Sequence, residues 1–384
     1  MKKNVIMGFM ACAFLWSGAG VPVCAKPITL DVGVNAELTG SIPVVGNSCV
    51  NAAKMAVDEI NASGGIKVGE DQVTFKLSVE DNEDKPESAA ALTQKFIGTK
   101  AVAMIGPNAS RNAIPAAVIA ENAKFLMISP WSTSIKTTQE KKWIFRACFT
   151  DDFQGVILAN FATGNLKLKK AAVLYDAGSE ANKGIAEVFQ KSFKELGGEI
   201  TSFETYSSGD KDFTAQLTKI TNSGAQGLFL PNYYSEVPLQ VQQARDLGFE
   251  GQIFGSDAWG SAEIIKLGGK AMDGLYFSTH YAPDMVGDQA EKFIESYTVK
   301  NGNKPDDVAA LTYDSFNLLF KSIATANSVE PEKIRQVLST LSKFPGVTGN
   351  MSFSEGSGSP VKSAVILQIK DGAFKYYGTI APKN

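Results

Sequence analysis

The chain has 384 residues, with 37 basic against 40 acidic, a formal net charge of −3 and 44% hydrophobic residues. That length exceeds the roughly 100 to 200 residues that one core usually serves, so two lobes are expected. A mildly acidic chain has no electrostatic case for nucleic acid, which is excluded as a partner.

In chain order, Met1-Lys2-Lys3-Asn4 is a short basic start, and an apolar run over 5–20 leads to Val23-Cys24-Ala25. This reads as a secretory signal peptide over 1–25, with the mature chain beginning at Lys26. The run falls short of the ~20 apolar residues of a membrane span. A lipoprotein would carry a small Gly, Ala or Ser where Val23 stands, and no later segment reads as membrane-spanning. Loss of Lys2 and Lys3 leaves 35 basic residues against 40 acidic, a mature charge of −5.

Residues 28–36 read as a strand. Over 48–60 apolar residues recur at Ala52, Ala53, Ala56, Val57 and Ile60, the period of an amphipathic helix. Gly64-Gly65 stops it, because glycine takes the left-handed cap conformation cheaply. Residues 73–79 alternate as a second strand, and Pro86 opens a helix. Two short apolar strands follow, at 101–106 and 125–128. Each runs into a hydroxyl-bearing loop, Asn108-Ala109-Ser110 and Ser129-Pro130-Trp131-Ser132-Thr133, and then a helix. In an open parallel sheet such loops, at the carboxyl ends of neighbouring strands, form the crevice where small ligands bind. The N–H groups opening each helix suit an anion, most simply a carboxylate, which points to a receptor for a small carboxylated metabolite.

A strand at 143–146 leads to Asp151-Asp152-Phe153-Gln154-Gly155, and the rhythm restarts: strands at 171–175, 199–206, 227–230 and 252–255, helices at 183–196, 213–222 and 237–247. Repeated βα units with short connections predict parallel sheets flanked by helices. After Tyr276-Phe277 come helices at 289–301, 309–326 and 331–342, a glycine-rich segment over 346–358, and strands at 364–369 and 374–380. That tail is too short for a third domain and must pack onto an existing lobe. The expected architecture is α/β, with two doubly wound parallel-sheet lobes joined by a multi-crossing hinge. Lobe 1 comprises 27–148 plus 280–358, and lobe 2 comprises 149–279 plus 359–384.

Cys12 and Cys24 leave with the signal, so Cys49 and Cys148 remain in a disulfide-permissive compartment; one bridge and two separate buried thiols are both open. The single histidine, His280, cannot build a His-rich zinc site, and any Ser-His-Asp or Cys-His site would have to use it. A structural or hinge role is expected for it. No metal, cofactor or catalytic residue is expected.

Leu38-Thr39-Gly40, the helix Ala52 to Asn61 with Gly64-Gly65-Ile66, the Ile105-Gly106 and Ile128-Ser129-Pro130 loops, and Phe145-Arg146 before Asp151 and Gln154-Gly155 resemble type I periplasmic solute-binding proteins. Within them, the chain is most similar to the branched-chain amino acid binding proteins of ABC transporters, over essentially its whole mature length. The resemblance implies a type I periplasmic binding protein fold and a periplasmic monomer. By that resemblance it would capture an amino acid, branched-chain or otherwise apolar, by lobe closure and deliver it to a membrane permease. It also implies the site: Ser110 as donor to the ligand carboxylate with Ser132 beside it, Thr133 touching carboxylate and ammonium together, and the Trp131 carbonyl accepting from the ammonium. On the second lobe, Tyr233 would cover the ligand and Asp257 would pair with the ammonium; Tyr234 and Trp259 are weaker candidates. Where the family often has Tyr-Gly this chain has Val45-Gly46, and Glu180-Ala181-Asn182 replaces a second tyrosine, so the side-chain pocket is reshaped. Glu83 and Ala109 stand where some members have a disulfide.

Three other readings compete. A receptor for an aminoless carboxylate, such as an aromatic acid, or for a small amide fits Trp131 but leaves Asp257 unpaired. A doubly wound enzyme lacks support, since Glu37-Leu38-Thr39-Gly40 stands where a phosphate-binding glycine fingerprint would follow the first strand. A sensory ectodomain lacks a membrane segment or fused signalling domain, although a soluble receptor could present its ligand to a separate sensor.

Overall fold

A computed structural model describes residues 27–284 and 288–382; the signal-peptide reading therefore lies outside the described residues. Among those residues no helix is long and apolar enough to cross a membrane.

The first half builds β1 (Pro27–Ala36), α1 (Pro43–Ala62), β2 (Ile66–Val68), β3 (Asp71–Asp81), α2 (Pro86–Thr99), β4 (Ala103–Ile105), α3 (Ser110–Asn122), β5 (Met127–Ser129) and β6 (Ile144–Arg146). Its sheet runs β2-β3-β1-β4-β5-β6, parallel except where β2 folds back on β3. The central strands β4 and β5 are buried on both faces, which is why they read as unbroken apolar runs without alternation. Proline in the first turn of α1 and α2 costs nothing there, because its missing N–H has no helical acceptor.

The second half builds α4 (Asp151–Gly164), β7 (Lys170–Asp176), α5 (Glu180–Glu195), β8 (Glu199–Tyr206), α6 (Thr214–Asn222), β9 (Gly227–Leu230), α7 (Val237–Asp246), β10 (Gln252–Gly255), α8 (Glu263–Gly268) and β11 (Tyr276–Thr279). Then come α9 (Asp288–Asn301), α10 (Asp307–Ala326), α11 (Pro331–Leu338), the short hairpin β12 (Phe344–Gly346) and β13 (Gly349–Met351), β14 (Ala364–Lys370) and β15 (Ala373–Ile380). The second sheet runs β15-β14-β11-β10-β9-β7-β8, with β14 antiparallel to β11 and β15 antiparallel to β14. Helix α10 returns to the first lobe and packs on α1, where Ser48 Oγ donates to Asp306 Oδ2 at 2.6 Å. The chain thus passes between two α/β lobes after β6, after β11 and after β13.

Two expectations are corrected. No α-helix follows the loop after β5; a single 3-10 turn, Ile135–Thr137, stands there, so only the first loop leads into a helical N-terminus. Conversely, 151–164 is a full helix, capped by Thr150, whose hydroxyl accepts the Phe153 N–H. Its sequence was read only as a connection. Cys49 and Cys148 are separate buried thiols, both pushed up to about 12 by burial.

Candidate functional site

The loops leaving β4 and β5 are laced together: Ser129 Oγ donates to Pro107 O at 2.6 Å, and Ser132 N to Ser129 Oγ at 3.3 Å. Beneath the second loop Arg146 is fully buried. Its guanidinium donates to Ser132 O, Ser134 O and Thr138 Oγ1, so these donors hold the loop, and among the described residues none of them serves a carboxylate. Ser110 opens α3; its Oγ lies 2.9 Å from Ser132 Oγ, which lies 2.7 Å from Thr137 Oγ1. Part of the expected anion site is already occupied. Glu37, fully buried at the end of β1, accepts the N–H groups of Asn108 and Ala109 at 3.1 Å each and the side-chain amides of Asn108 and Asn112.

On the second lobe, β9 and β10 end in Pro231-Asn232-Tyr233-Tyr234 and Ser256-Asp257. Asn232 staples the first of these, donating to Leu174 O at 2.9 Å and Gln240 Oε1 at 2.8 Å. The Tyr233 ring is covered by Arg111, 4.9 Å above its centroid, and Arg111 forks onto Asp84. Asp257 Oδ1 accepts from Gln154 Nε2 at 2.8 Å, and Oδ2 lies 3.1 Å from His280 Nε2. Burial pulls the imidazole down to about 4, so the ring is neutral at neutral pH. Among the described residues its Nδ1 has no partner, which leaves Nε2–H as the donor to Asp257. The ring lies against Phe149, with centroids 3.7 Å apart and the planes tilted by 33°.

Between these loops lies a narrow, partly open cavity. Ser110, Trp131 and Thr133 border it from one side, Tyr233 and Asp257 from the other; Ser132 does not border it and stands behind Ser110. Trp131 and Tyr233 face each other at 6.1 Å, and the indole Nε1 donates to Asp307 Oδ2 at 3.1 Å. Tyr234 hydrogen-bonds the Val44 backbone, and Trp259 is wholly buried with its Nε1 on Leu230 O at 3.0 Å; neither borders the cavity.

Sequence reasoning left five bordering polar residues out of the site: Asn108, Asp151, Gln154, Asn182 and Ser256. Asp151 and Gln154 lie on the first turn of α4, within the motif that carried the resemblance, and recognition of that helix would have placed them one turn apart on one face. Asp151 is pushed up to about 8, chiefly by burial and partly by the charge of Asp257, against a hydrogen bond from the Thr133 side chain.

Two doubly wound lobes with a polar, non-metallic cleft between their strand ends define a type I solute-binding protein. The periplasmic binding protein family profile matches residues 29–373. A Leu/Ile/Val-binding protein homolog of Brucella abortus is 29% identical over 98% of this chain and 100% of its own. A leucine-binding protein of Thermotoga maritima superposes with a TM-score of 0.86 at 33% identity, covering 92% of this chain and 99% of that one. A branched-chain amino acid transporter substrate-binding protein of Streptococcus pneumoniae, in complex with isoleucine, gives 0.85 at 31%, covering 92% and 100%. The chain belongs to the periplasmic binding protein family, in its branched-chain amino acid group, the substrate-binding components of ABC transporters. This is a solute-binding family rather than an enzyme family, and its members act outside the cytoplasm.

Proposed function

We propose that this protein captures a zwitterionic amino acid with a small apolar side chain by closing its lobes, and passes it to an ABC permease. The observation that carries the reading is the opposition, across one cavity, of hydroxyls on the first lobe (Ser110 and Thr133) and a buried carboxylate, Asp257, on the second. A ligand carboxylate needs a donor such as the Ser110 hydroxyl, and an ammonium needs acceptors such as the Thr133 oxygen and Asp257. Charge-assisted hydrogen bonds are each worth about 1.5–3 kcal/mol. Three or four supply much of the roughly −8 kcal/mol of a micromolar complex after ordering costs.

Trp131, Ala181, Ile185, Pro231 and Ala258 give the rest of the wall an apolar surface, supporting a small aliphatic side chain. The moving bodies are 27–148 with 280–358, and 149–279 with 359–384. Ligand binds Ser110 and Thr133 on the first, with Ser132 supporting Ser110 from behind, and the second adds Tyr233 and Asp257 only on closure, so differential affinity shifts the equilibrium.

Calorimetry and thermal-shift measurement against the amino acids and their aminoless counterparts test this. Stabilisation by an aliphatic amino acid, lost when its amine is removed, is the expected result. Stabilisation by aminoless acids or amides alone would overturn it.

A further inference from the structure

Two buried carboxylates, not one, border the cleft. Asp151 is 3% exposed and Asp257 6%, and among the described residues neither has a charged cation at ion-pair distance. Asp151 is bound to Thr133 twice. Its N–H donates to Thr133 O at 2.9 Å, and its carboxylate takes the Thr133 hydroxyl. A threonine hydroxyl whose hydrogen is engaged presents only lone pairs elsewhere. Toward the cleft, Thr133 is then an acceptor, which suits an ammonium and repels a carboxylate.

Resting on the amino acid reading above, we propose that Asp151 is a positioning residue that makes Thr133 select an ammonium, and that capture of the ligand expels one proton from Asp151.

The surroundings of Asp151 carry the second half. From β6, Arg146 attracts it, but the guanidinium's donors are on main-chain carbonyls and Thr138. From the segment after β10, Asp257 repels it, as does its helix neighbour Asp152. From α5 it meets Gly184, where a Cβ would sit 3.4 Å from Oδ2, so that face offers backbone and no charge. At the lobe crossings, His280 is neutral, the Cys148 thiol is protonated, and the Lys362 ammonium donates to Ala147 O and Thr348 Oγ1. Burial and the neighbouring Asp257 charge hold a proton on Asp151 until a cation arrives. When the ligand ammonium enters, the Asp151 O–H bond breaks, the electron pair stays on its oxygen, and the proton leaves to bulk water.

The test is calorimetry of the mature protein with L-leucine, L-valine and L-alanine, and with 4-methylpentanoate as the aminoless partner of leucine, in buffers of different ionisation enthalpy. Wild type should release close to one proton per amino acid at pH 7, and amino acid affinity should rise toward tenfold per pH unit between roughly pH 6 and 7.5. Asp151→Asn, whose amide oxygen can still accept the Thr133 hydrogen, should release none and bind with a flat pH profile. It should hold amino acids at least about tenfold more weakly at pH 8 while binding 4-methylpentanoate no worse than wild type. Amino acid binding without proton release by wild type overturns the proposal and leaves the function standing. The same release from Asp151→Asn also overturns it. If none of the three amino acids binds and 4-methylpentanoate does, the functional reading falls and this one with it. The wild-type proton count needs no variant and holds even if Asp151→Asn folds poorly.

Discussion

Asp257 is held in place before any ligand arrives, by Gln154 on one oxygen and His280 on the other. Those donors stabilise the carboxylate and fix its direction, but they bring no charge, so the demand for a cation remains. Asp257→Ala is expected to weaken amino acid binding by about 2–5 kcal/mol, read by calorimetry, because an ammonium would lose its charged partner. His280 sets an acid limit on stability. Its folded-state value of about 4 lies below the ordinary 6.5, so the unfolded chain binds the extra proton first. Stability from this group is complete above pH 6.5 and is lost as pH falls toward 4. His280→Gln keeps a donor for Asp257 and removes that titration; its melting temperature should fall less between pH 6.5 and 4 than that of wild type. Trp131→Phe leaves the buried Asp307 carboxylate with Thr279 alone among its side-chain donors. A cost of about 1–3 kcal/mol in denaturant unfolding is expected.

At the scale of elements, the first lobe's binding loop is set by contacts that begin far away in sequence. Glu37 ends β1 and gathers the loop before α3 through four hydrogen bonds. Gly46, on α1, lets that helix lie directly on the Glu37 backbone: a Cβ there would stand 2.2 Å from Glu37 O. Gly46→Ala should therefore push α1 off β1 and loosen the Ser110 loop, costing about 1–3 kcal/mol of stability and weakening ligand binding together with it, by thermal melt and calorimetry. The helix α3 and its serine were legible from a short apolar strand running into Asn-Ala-Ser. The 3-10 turn after β5 was not, because its shape comes from Arg146 holding three acceptors across the loop. Nothing local in Ser134-Ile135-Lys136 signals that.

For the whole molecule, the crossings between lobes carry the coupling. Lys362 is 3% exposed, and its ammonium ties the third crossing to the first at Ala147 O, 3.1 Å away, and to Thr348 in the first lobe. Asp314 faces the same group electrostatically and is itself buried, its oxygens on Val347 N and Thr348. Lys362→Met would remove the two hydrogen bonds to Ala147 O and Thr348 Oγ1, so it should destabilise by about 2–4 kcal/mol in denaturant unfolding. Contacts spanning the lobes, among them Tyr233 with Arg111 and Lys136 with Glu180, would have to break for ligand to enter. Small-angle scattering of the ligand-free protein should accordingly give a larger radius of gyration than with a bound amino acid.

Local pattern by itself determined the alternation of strands and helices, the two-lobe α/β architecture and the loops that meet at the cleft, because apolar period and glycine or proline punctuation are properties of neighbouring residues. The resemblance to a known family, over essentially the whole mature chain, supplied the site residues that pattern could not rank. Only the tertiary structure decided that Ser132 stands behind Ser110, that Glu37 fills part of the helix terminus, and that Asp151 joins Asp257 in one cavity. Each of those depends on side chains from distant segments competing for the same hydrogen bonds in a space that excludes water, and such competition leaves no trace in the spacing along the chain.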